Sequence, residues 1–399
     1  MTKLEQLIEE LCPNGVEYRT LNTICNVYDG THQTPQYTDS GIKFASVENI
    51  ADPYATEKYI SVSDYEKYKI KPHRNDLLMT RIGSIGVCTV IESDEPLAYY
   101  VSLALLRPDN SILNSRYLKY AIESLHCRKE LRKRTLVNAV PIKINMGDIG
   151  KITLPVPPLP VQREIVRILD NFTELTAELT AELTARRQQY EYYNNTLLSF
   201  DNAEYKTLEE LCDIVDYRGK TPRKVDDGIF LVTAKNIRKG FIDYDKSKEY
   251  ISPEDYDEVM HRGFPKIGDV LITTEAPCGN VAQIDNENIA LAQRVIKYRP
   301  KNNNLNSTFL KYVLLGKEFQ DKLERAATGG TVKGIKGSKL HQLTIPVPSI
   351  EEQKRIVAIL DRFDTLCNDI SEGLPAEIEA RQKQYEYYRD KLLTFEPAK

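Results

Sequence analysis

From Val161 to Phe200 the chain places apolar side chains at steps of three and four and contains no Gly or Pro. The stripe is Val161, Ile165, Ile168, Phe172, Leu175, Leu179 and Leu183, then Tyr190, Tyr193 and Leu197. This rhythm is that of a packed helix seam, and it predicts one helix of about 40 residues. A second stripe runs through Ile356, Ile359, Phe363, Leu366, Ile370, Leu374 and Ile378 to Tyr385, Tyr388 and Leu392. Gly373-Leu374-Pro375 should kink or break it, since proline is tolerated in the first turn of a helix that resumes there. Either stripe alone suits an ordinary core-facing helix. Two matched ones, each following a folded region, predict an antiparallel pair with a domain at either end.

The same words introduce both helices. Pro155 and Pro346, Gln162 and Gln353, and Asp170 and Asp361 are each 191 apart (346 − 155, 353 − 162, 361 − 170). Gln-Tyr-Glu-Tyr-Tyr recurs at 189–193 and 384–388, 195 apart (384 − 189). A repeat this long marks one unit written twice. It begins near residue 17, at Glu-Tyr-Arg-Thr-Leu, and again near 204, at Glu-Tyr-Lys-Thr-Leu. Asp76 and Leu78 return as Asp269 and Leu271, Arg107-Pro108 as Arg299-Pro300, and Leu118-Lys119-Tyr120 as Leu310-Lys311-Tyr312. Ahead of each helix, β-rich runs (76–90 and 269–284) lie between Gly and Pro punctuation, and one helix is expected at 115–134 and at 307–325. A short amphipathic helix at 4–11 opens the chain and is stopped by Pro13-Asn14-Gly15.

The expected fold class is α+β: two similar mixed α/β domains, separated by an antiparallel coiled coil of two long helices, in a pseudo-two-fold repeat. The segments are 1–153, with its short N-terminal helix, 154–203, 204–344 and 345–399. Ile165, Leu169, Phe172, Tyr190 and Tyr193 are candidates for helix pairing and subunit docking in the first helix. Ile356, Leu360, Phe363, Tyr385 and Tyr388 are their counterparts in the second. Thr-Ala-Glu-Leu stands twice in tandem at 176–183. Four extra residues lengthen a helix by about 6 Å and turn it by about 40°, so the seam survives. Replication slippage and a length-setting ruler both account for the duplication.

A length of 399 residues allows two or three domains, and the near-average apolar and charged fractions describe a globular chain. No apolar run reaches the roughly 18 residues of a membrane span, and the acidic, amphipathic first ten residues do not read as a signal peptide. Seven scattered cysteines without a C-x-x-C pair point to reduced thiols and a cytoplasmic location. The net charge of −4 gives no global sign of a nucleic-acid partner, so any such binding must be local.

Neither half carries a phosphate-binding Gly-rich motif, a nucleophile elbow, H-E-x-x-H or paired metal-ligand spacing. Basic residues do gather at Arg128, Lys129, Arg132, Lys133 and Arg134, at 217–225, and in the Gly-rich loop 328–339. Such runs are often solvated faces, but Gly, Lys, Thr and Ser together also bring backbone N–H groups and cations to phosphates. Polar loop side chains can reach base edges. The candidate DNA contacts in the first copy are His32, Gln33, Lys43, Asn49, Arg81, Arg132, Lys133 and Arg134. Those in the second are Arg218, Lys220, Arg223, Lys235, Asn236, Thr331, Lys333 and Lys336.

Taken together, Pro-Val-Pro followed by Gln and Ile-Val-x-Ile-Leu-Asp at 155–170 and 346–361, the Gln-Tyr-Glu-Tyr-Tyr words and the Thr-Ala-Glu-Leu tandem resemble the specificity subunits of Type I restriction–modification systems. The resemblance covers nearly the whole chain. It implies a subunit without catalysis or a cofactor of its own, whose two target-recognition domains each read half of a bipartite site in double-stranded DNA. It further implies that the paired helices set the spacer and dock two modification (methyltransferase) subunits. Those subunits would bring S-adenosylmethionine for adenine methylation, and restriction subunits would bring ATP- and Mg-dependent translocation and cleavage. A free-standing DNA-binding scaffold and a nuclease with a cryptic site are the rival readings.

Overall fold

The computed structural model describes residues 2–33, 35–200, 203–217, 222–329, 333–368 and 373–399. It divides into two units, Met1–Thr180 with Ile378–Lys399, and Ala181–Glu377. Each unit joins one α/β region to parts of the helical segments that the sequence set apart as 154–203 and 345–399.

In the first unit an antiparallel sheet runs in the order Cys25–Asp29, Leu103–Pro108, Leu77–Thr80, Cys88–Val90. A mixed sheet runs in the order Tyr37–Thr38, Tyr59–Ile60, Ile42–Ala45, Leu97–Tyr99, with the last two strands parallel. The central strand Leu77–Thr80 is buried at every position, because it is covered on both faces. Leu77 and Met79 face a core shared with the helices, whereas Leu78 faces a second core with Ala45 and Tyr99. The second unit repeats this order with Cys212–Asp216, Val295–Pro300, Val270–Thr273 and Val281–Gln283, then Lys224–Val225, Tyr250–Ile251, Ile229–Val232 and Ile289–Leu291. Val270 and Ile272 again face one core and Leu271 the other. The repeat is therefore one of topology as well as of words.

The stretch 115–134, expected to be one helix, is two, Ser115–Glu123 and Leu125–Arg134. Ser124 is extended, and its hydroxyl donates to the Ala121 carbonyl at 2.7 Å and caps the next helix at Cys127 N–H. The counterpart stretch is likewise divided, into Ser307–Leu315 and Lys317–Ala326, with Gly316 in the place of Ser124. Apolar spacing continues through both breaks, so periodicity did not reveal them.

The first long helix is continuous from Leu159 to Leu197, 39 residues, whereas the second stripe gives Ile350–Asn368 and Leu374–Leu392 with Pro375 in the first turn of the latter. Residues 369–372 between them lie outside the described set. The buried positions of the first helix are confined to 161–169. The expected seam residues Leu175, Leu179 and Leu183 are only partly covered.

The repeated words now acquire a cause. Pro155 pairs across a two-stranded ladder with Tyr18, as Pro346 does with Tyr205. The fully buried Gln162 side chain accepts from Asn114 N–H at 2.8 Å and donates to the Ile112 and Pro157 carbonyls at 2.8 and 2.7 Å. Gln353 repeats all three bonds, with Asn306 N–H and with the Asn304 and Pro348 carbonyls, at 2.8, 2.9 and 2.9 Å. Asn114 and Asn306 are themselves the N-caps of Ser115–Glu123 and Ser307–Leu315. Two turns further on, Tyr120 donates its hydroxyl to Asp170 and Tyr312 donates to Asp361, each at 2.6 Å. A glutamine and an aspartate thus bolt each long helix to the helix that follows the sheet.

Replacing Gln162 by Leu leaves one backbone N–H and two carbonyls buried without partners. The expected cost is about 2 to 4 kcal/mol. A urea-unfolding midpoint no lower than that of the parent chain would contradict this account of the repeat.

Candidate nucleic-acid interface and helix seam

In the first unit the loops after Asp29, after Thr80 and before Ile144 are laced together. Val101 N–H donates to the Thr31 carbonyl at 3.0 Å, Gly83 N–H to the Ile142 carbonyl at 2.9 Å, and Ile144 N–H to the Arg81 carbonyl at 3.0 Å. Gly30 is required where the chain passes Tyr100, since a Cβ there would lie 2.3 Å from the Tyr100 carbonyl oxygen. Asp29 ties the cluster, accepting from Arg81 Nη1 at 2.7 Å and meeting His32 Nε2 at 2.9 Å. His32 stays largely exposed, so its imidazole is aimed outward from a fixed stem. A cavity of about 480 Å³ opens beside it, lined by Thr31, Gln33, Gln36, Lys67 and Tyr68 among others.

The second unit builds the same frame. Ile335 N–H donates to the Thr274 carbonyl at 2.9 Å, as Ile144 does to Arg81, and Thr328 and Gly334 exchange two hydrogen bonds at 2.8 and 2.9 Å. Arg294 pairs with Glu275 at 2.7 Å. Arg223, Lys333 and Lys336 are exposed, with Lys333 reaching Glu324 at 2.5 Å. Arg218, Lys220 and Thr331 lie outside the described residues.

The frame brings His32, Gln33 and Arg81 together with the loop that follows Arg132, Lys133 and Arg134. Other candidates have different surroundings. Arg81 is buried, with its guanidinium committed to Asp29 and to the Val101 and Ile144 carbonyls, so it clamps loops rather than facing a ligand. Asn236 is fully buried, and its amide is saturated by Thr233 N–H and hydroxyl and by the Asp243 and Ser247 carbonyls. It closes a turn and has no edge left for a base. Its first-copy counterpart Asn49 is half-buried. Lys43 is half-buried within its strand, 3.8 Å from Glu95, and Lys235 is exposed. Lys133 and Arg134 both pair with Glu130, at 3.1 and 2.7 Å, while Arg132 is exposed.

The helix residues divide likewise. Phe172 stacks on Tyr388 at 5.4 Å in the first unit, and Phe363 stacks on Tyr193 at 5.4 Å in the second. In the second unit Tyr190 also meets Phe363, and Arg187 reaches the Cys367 carbonyl, so the paired segments run antiparallel. Tyr385 lies edge-on to Tyr120. Ile165, Leu169, Ile356 and Leu360 are fully buried in their own unit's core, which leaves them no part in docking another chain. The aromatics that do face outward are Tyr192 and Tyr387, 66% and 61% exposed at equivalent repeat positions. They sit one residue, about 100° of helical turn, off the stripe of Tyr193 and Tyr388, and helical phase alone could have singled them out.

All seven cysteines are free thiols. Burial pushes Cys25 and Cys212 up to about 12, which suits apolar packing and not nucleophilic chemistry. Among the described residues no helix is long and apolar enough to cross a membrane.

Two solved structures share this fold over nearly the whole chain. One is the S subunit of a Type I restriction–modification system from M. genitalium, at TM-score 0.55 and 15% identity, covering 95% of this chain and 96% of that one. The other comes from work on complex assembly and conformational transition of the type I R-M system, at TM-score 0.63 and 16% identity, covering 96% and 98%. The family model for the type I restriction modification DNA specificity domain matches twice, at residues 13–186 and 201–380. The chain belongs to this family as a type I specificity subunit, with two copies of the domain. The specificity subunit of an Escherichia coli type I restriction enzyme is 41% identical over 61% of this chain, and the match spans 63% of that protein, just under two thirds of its length. A putative type I specificity subunit of Haemophilus influenzae is 34% identical over 71% of this chain and 73% of its own length.

Substituting Asn236 by Ala removes a saturated buried amide. It should lower unfolding stability by about 3 kcal/mol. DNA sequence preference of the protein that remains folded should not change; altered preference at undiminished stability would restore Asn236 as a reader.

Proposed function

We propose that each α/β region reads one half of an asymmetric bipartite site in double-stranded DNA, inside the cell, where seven free thiols stay reduced. The helices carry the spacing between half-sites and present Tyr192 and Tyr387 to two copies of a modification subunit. S-adenosylmethionine, ATP and Mg act on those partners and on restriction subunits. This chain supplies recognition alone.

One observation carries the reading. The two units set the same hydrogen-bonded frame, Ile144 on Arg81 and Ile335 on Thr274, under loops of different chemistry. A shared frame with unlike loops is what two unlike half-sites require, whereas a scaffold binding one partner twice would keep the loops alike. Two copies related as a repeat also match the two strands of a duplex. The cations near these loops offset an overall charge of −4 locally, which is where phosphate contacts act.

Mapping methylated adenines genome-wide, in a host carrying this chain and its modification subunit, should give one bipartite motif. Exchanging residues 204–344 for the equivalent region of another family member should change one half-site and leave the other intact; a change in both would defeat the modular reading. Deleting residues 180–183 should shorten the spacer by one to two base pairs, since four helical residues span about 6 Å and a base pair 3.4 Å. An unchanged spacer would remove the ruler.

A further inference from the structure

The loop joining Leu125–Arg134 to Met146–Ile149 in the first unit has an unusual surface. Val140 is 100% exposed and Val137 62%, with Leu136 and Ile142 also open to solvent. Isolated exposed apolar residues are ordinary, but four on one short loop mark a contact surface. Arg132 and Lys143, both exposed, stand at its two ends. The stem is fixed: Leu136 N–H donates to the Lys143 carbonyl at 2.8 Å, and the Arg81 guanidinium, held by Asp29, reaches the Ile144 carbonyl at 3.4 Å.

The second unit closes a loop on the same stem, with Thr328 and Gly334 in the places of Leu136 and Lys143. Between them the first loop has six residues, 137–142, and the second five, 329–333. The first reads Val-Asn-Ala-Val-Pro-Ile, the second Gly-Gly-Thr-Val-Lys. A surface that docked the same partner on both units would keep its side chains, as Tyr192 and Tyr387 do. This one keeps the pairing of its stem and not its side chains.

We infer that the tip of the 136–143 loop, Val137, Val140 and Ile142, makes apolar contact with base edges in a groove of the half-site read by the first unit, while Arg132 and Lys143 hold the flanking phosphates. The inference rests on the DNA-reading function proposed above and names where that reading is made. Apolar side chains discriminate the thymine methyl group in the major groove and wedge against base steps in the minor groove, and cations beside them supply the sequence-independent attraction. The corresponding sequence of the second unit, Gly-Gly-Thr-Val-Lys, has one large apolar residue where the first has three, so the two half-sites should be read by different chemistry at this place.

The test replaces Val137, Val140 and Ile142 together by Ser in the full chain, co-expressed with the modification subunit, with Val140→Ser alone as a milder variant. Methylated adenines are mapped, and binding of the purified complex to duplexes carrying single changes in each half-site is measured. The first unit's half-site, assigned by the region exchange, should become degenerate in at least one base pair, with discrimination there falling about tenfold. The other half-site and the spacer should stand. An unchanged motif in both variants overturns the inference. So does loss of both half-sites together with loss of the co-purifying modification subunit, because the tip would then be a protein-docking surface. If the parent chain itself gives no bipartite motif, the proposed function has failed before the loop is put to the test, and the inference goes with it.

Discussion

The amide of one buried glutamine in each unit decides where the long helices start and what they lean on. Gln162 and Gln353 each satisfy an N-cap backbone N–H and two carbonyls that would otherwise be buried without partners. No other uncharged side chain offers one acceptor and two donors at that reach, apart from the shorter Asn. The Tyr120–Asp170 and Tyr312–Asp361 bonds then fix the azimuth two turns on. With origin and rotation both set, the aromatic faces of the helices come to Phe172–Tyr388 and Phe363–Tyr193 without further instruction.

A second pair of constraints acts inside the sheets. Arg107 grips Asp76 through Nε and Nη2 at 2.9 and 2.7 Å, and Arg299 grips Asp269 at 2.6 and 2.7 Å. Both aspartates are buried, so an ion-paired fork is the condition for placing them there. The units part company next to it: Lys297 is buried 3.3 Å from Asp269, whereas the first unit has Leu105 at that point. Burial holds the Lys297 ammonium below its ordinary range, with Asp269 opposing the shift. The same frame therefore accepts an apolar or a cationic side chain at one interior position.

What the sequence made legible follows from how far apart the interacting residues are. Helix phase is local, and the long helix came within three residues of its observed ends, Leu159 and Leu197. The repeat named Gln162, Asp170, Tyr120, Asp76 and Arg107 as important, yet not their partners, since Gln162 meets Asn114 across 48 residues and Arg107 meets Asp76 across 31. Polar residues in loops were the least readable. Asn236 and Arg81 look like ligand-facing groups in a one-dimensional string, but the hydrogen bonds that consume them come from turns and strands seen only in the fold. Ser124 and Gly316 broke two helices for the same reason: a cap is a backbone event beneath an unbroken apolar rhythm.

The place of the Thr-Ala-Glu-Leu tandem also has a physical sense. The division between the units falls within it, after Thr180. The Thr176 and Thr180 hydroxyls donate to the Phe172 and Thr176 carbonyls of their own helix, at 2.9 and 2.8 Å. Leu175 is 37% exposed, and the buried part of the helix has already ended at Leu169. A stretch that lies beyond the buried joint can gain or lose one turn at little cost to the core of either unit. The Phe172–Tyr388 and Tyr193–Phe363 contacts belong to separate units on either side of it, and each is held by residues that such a change leaves in place.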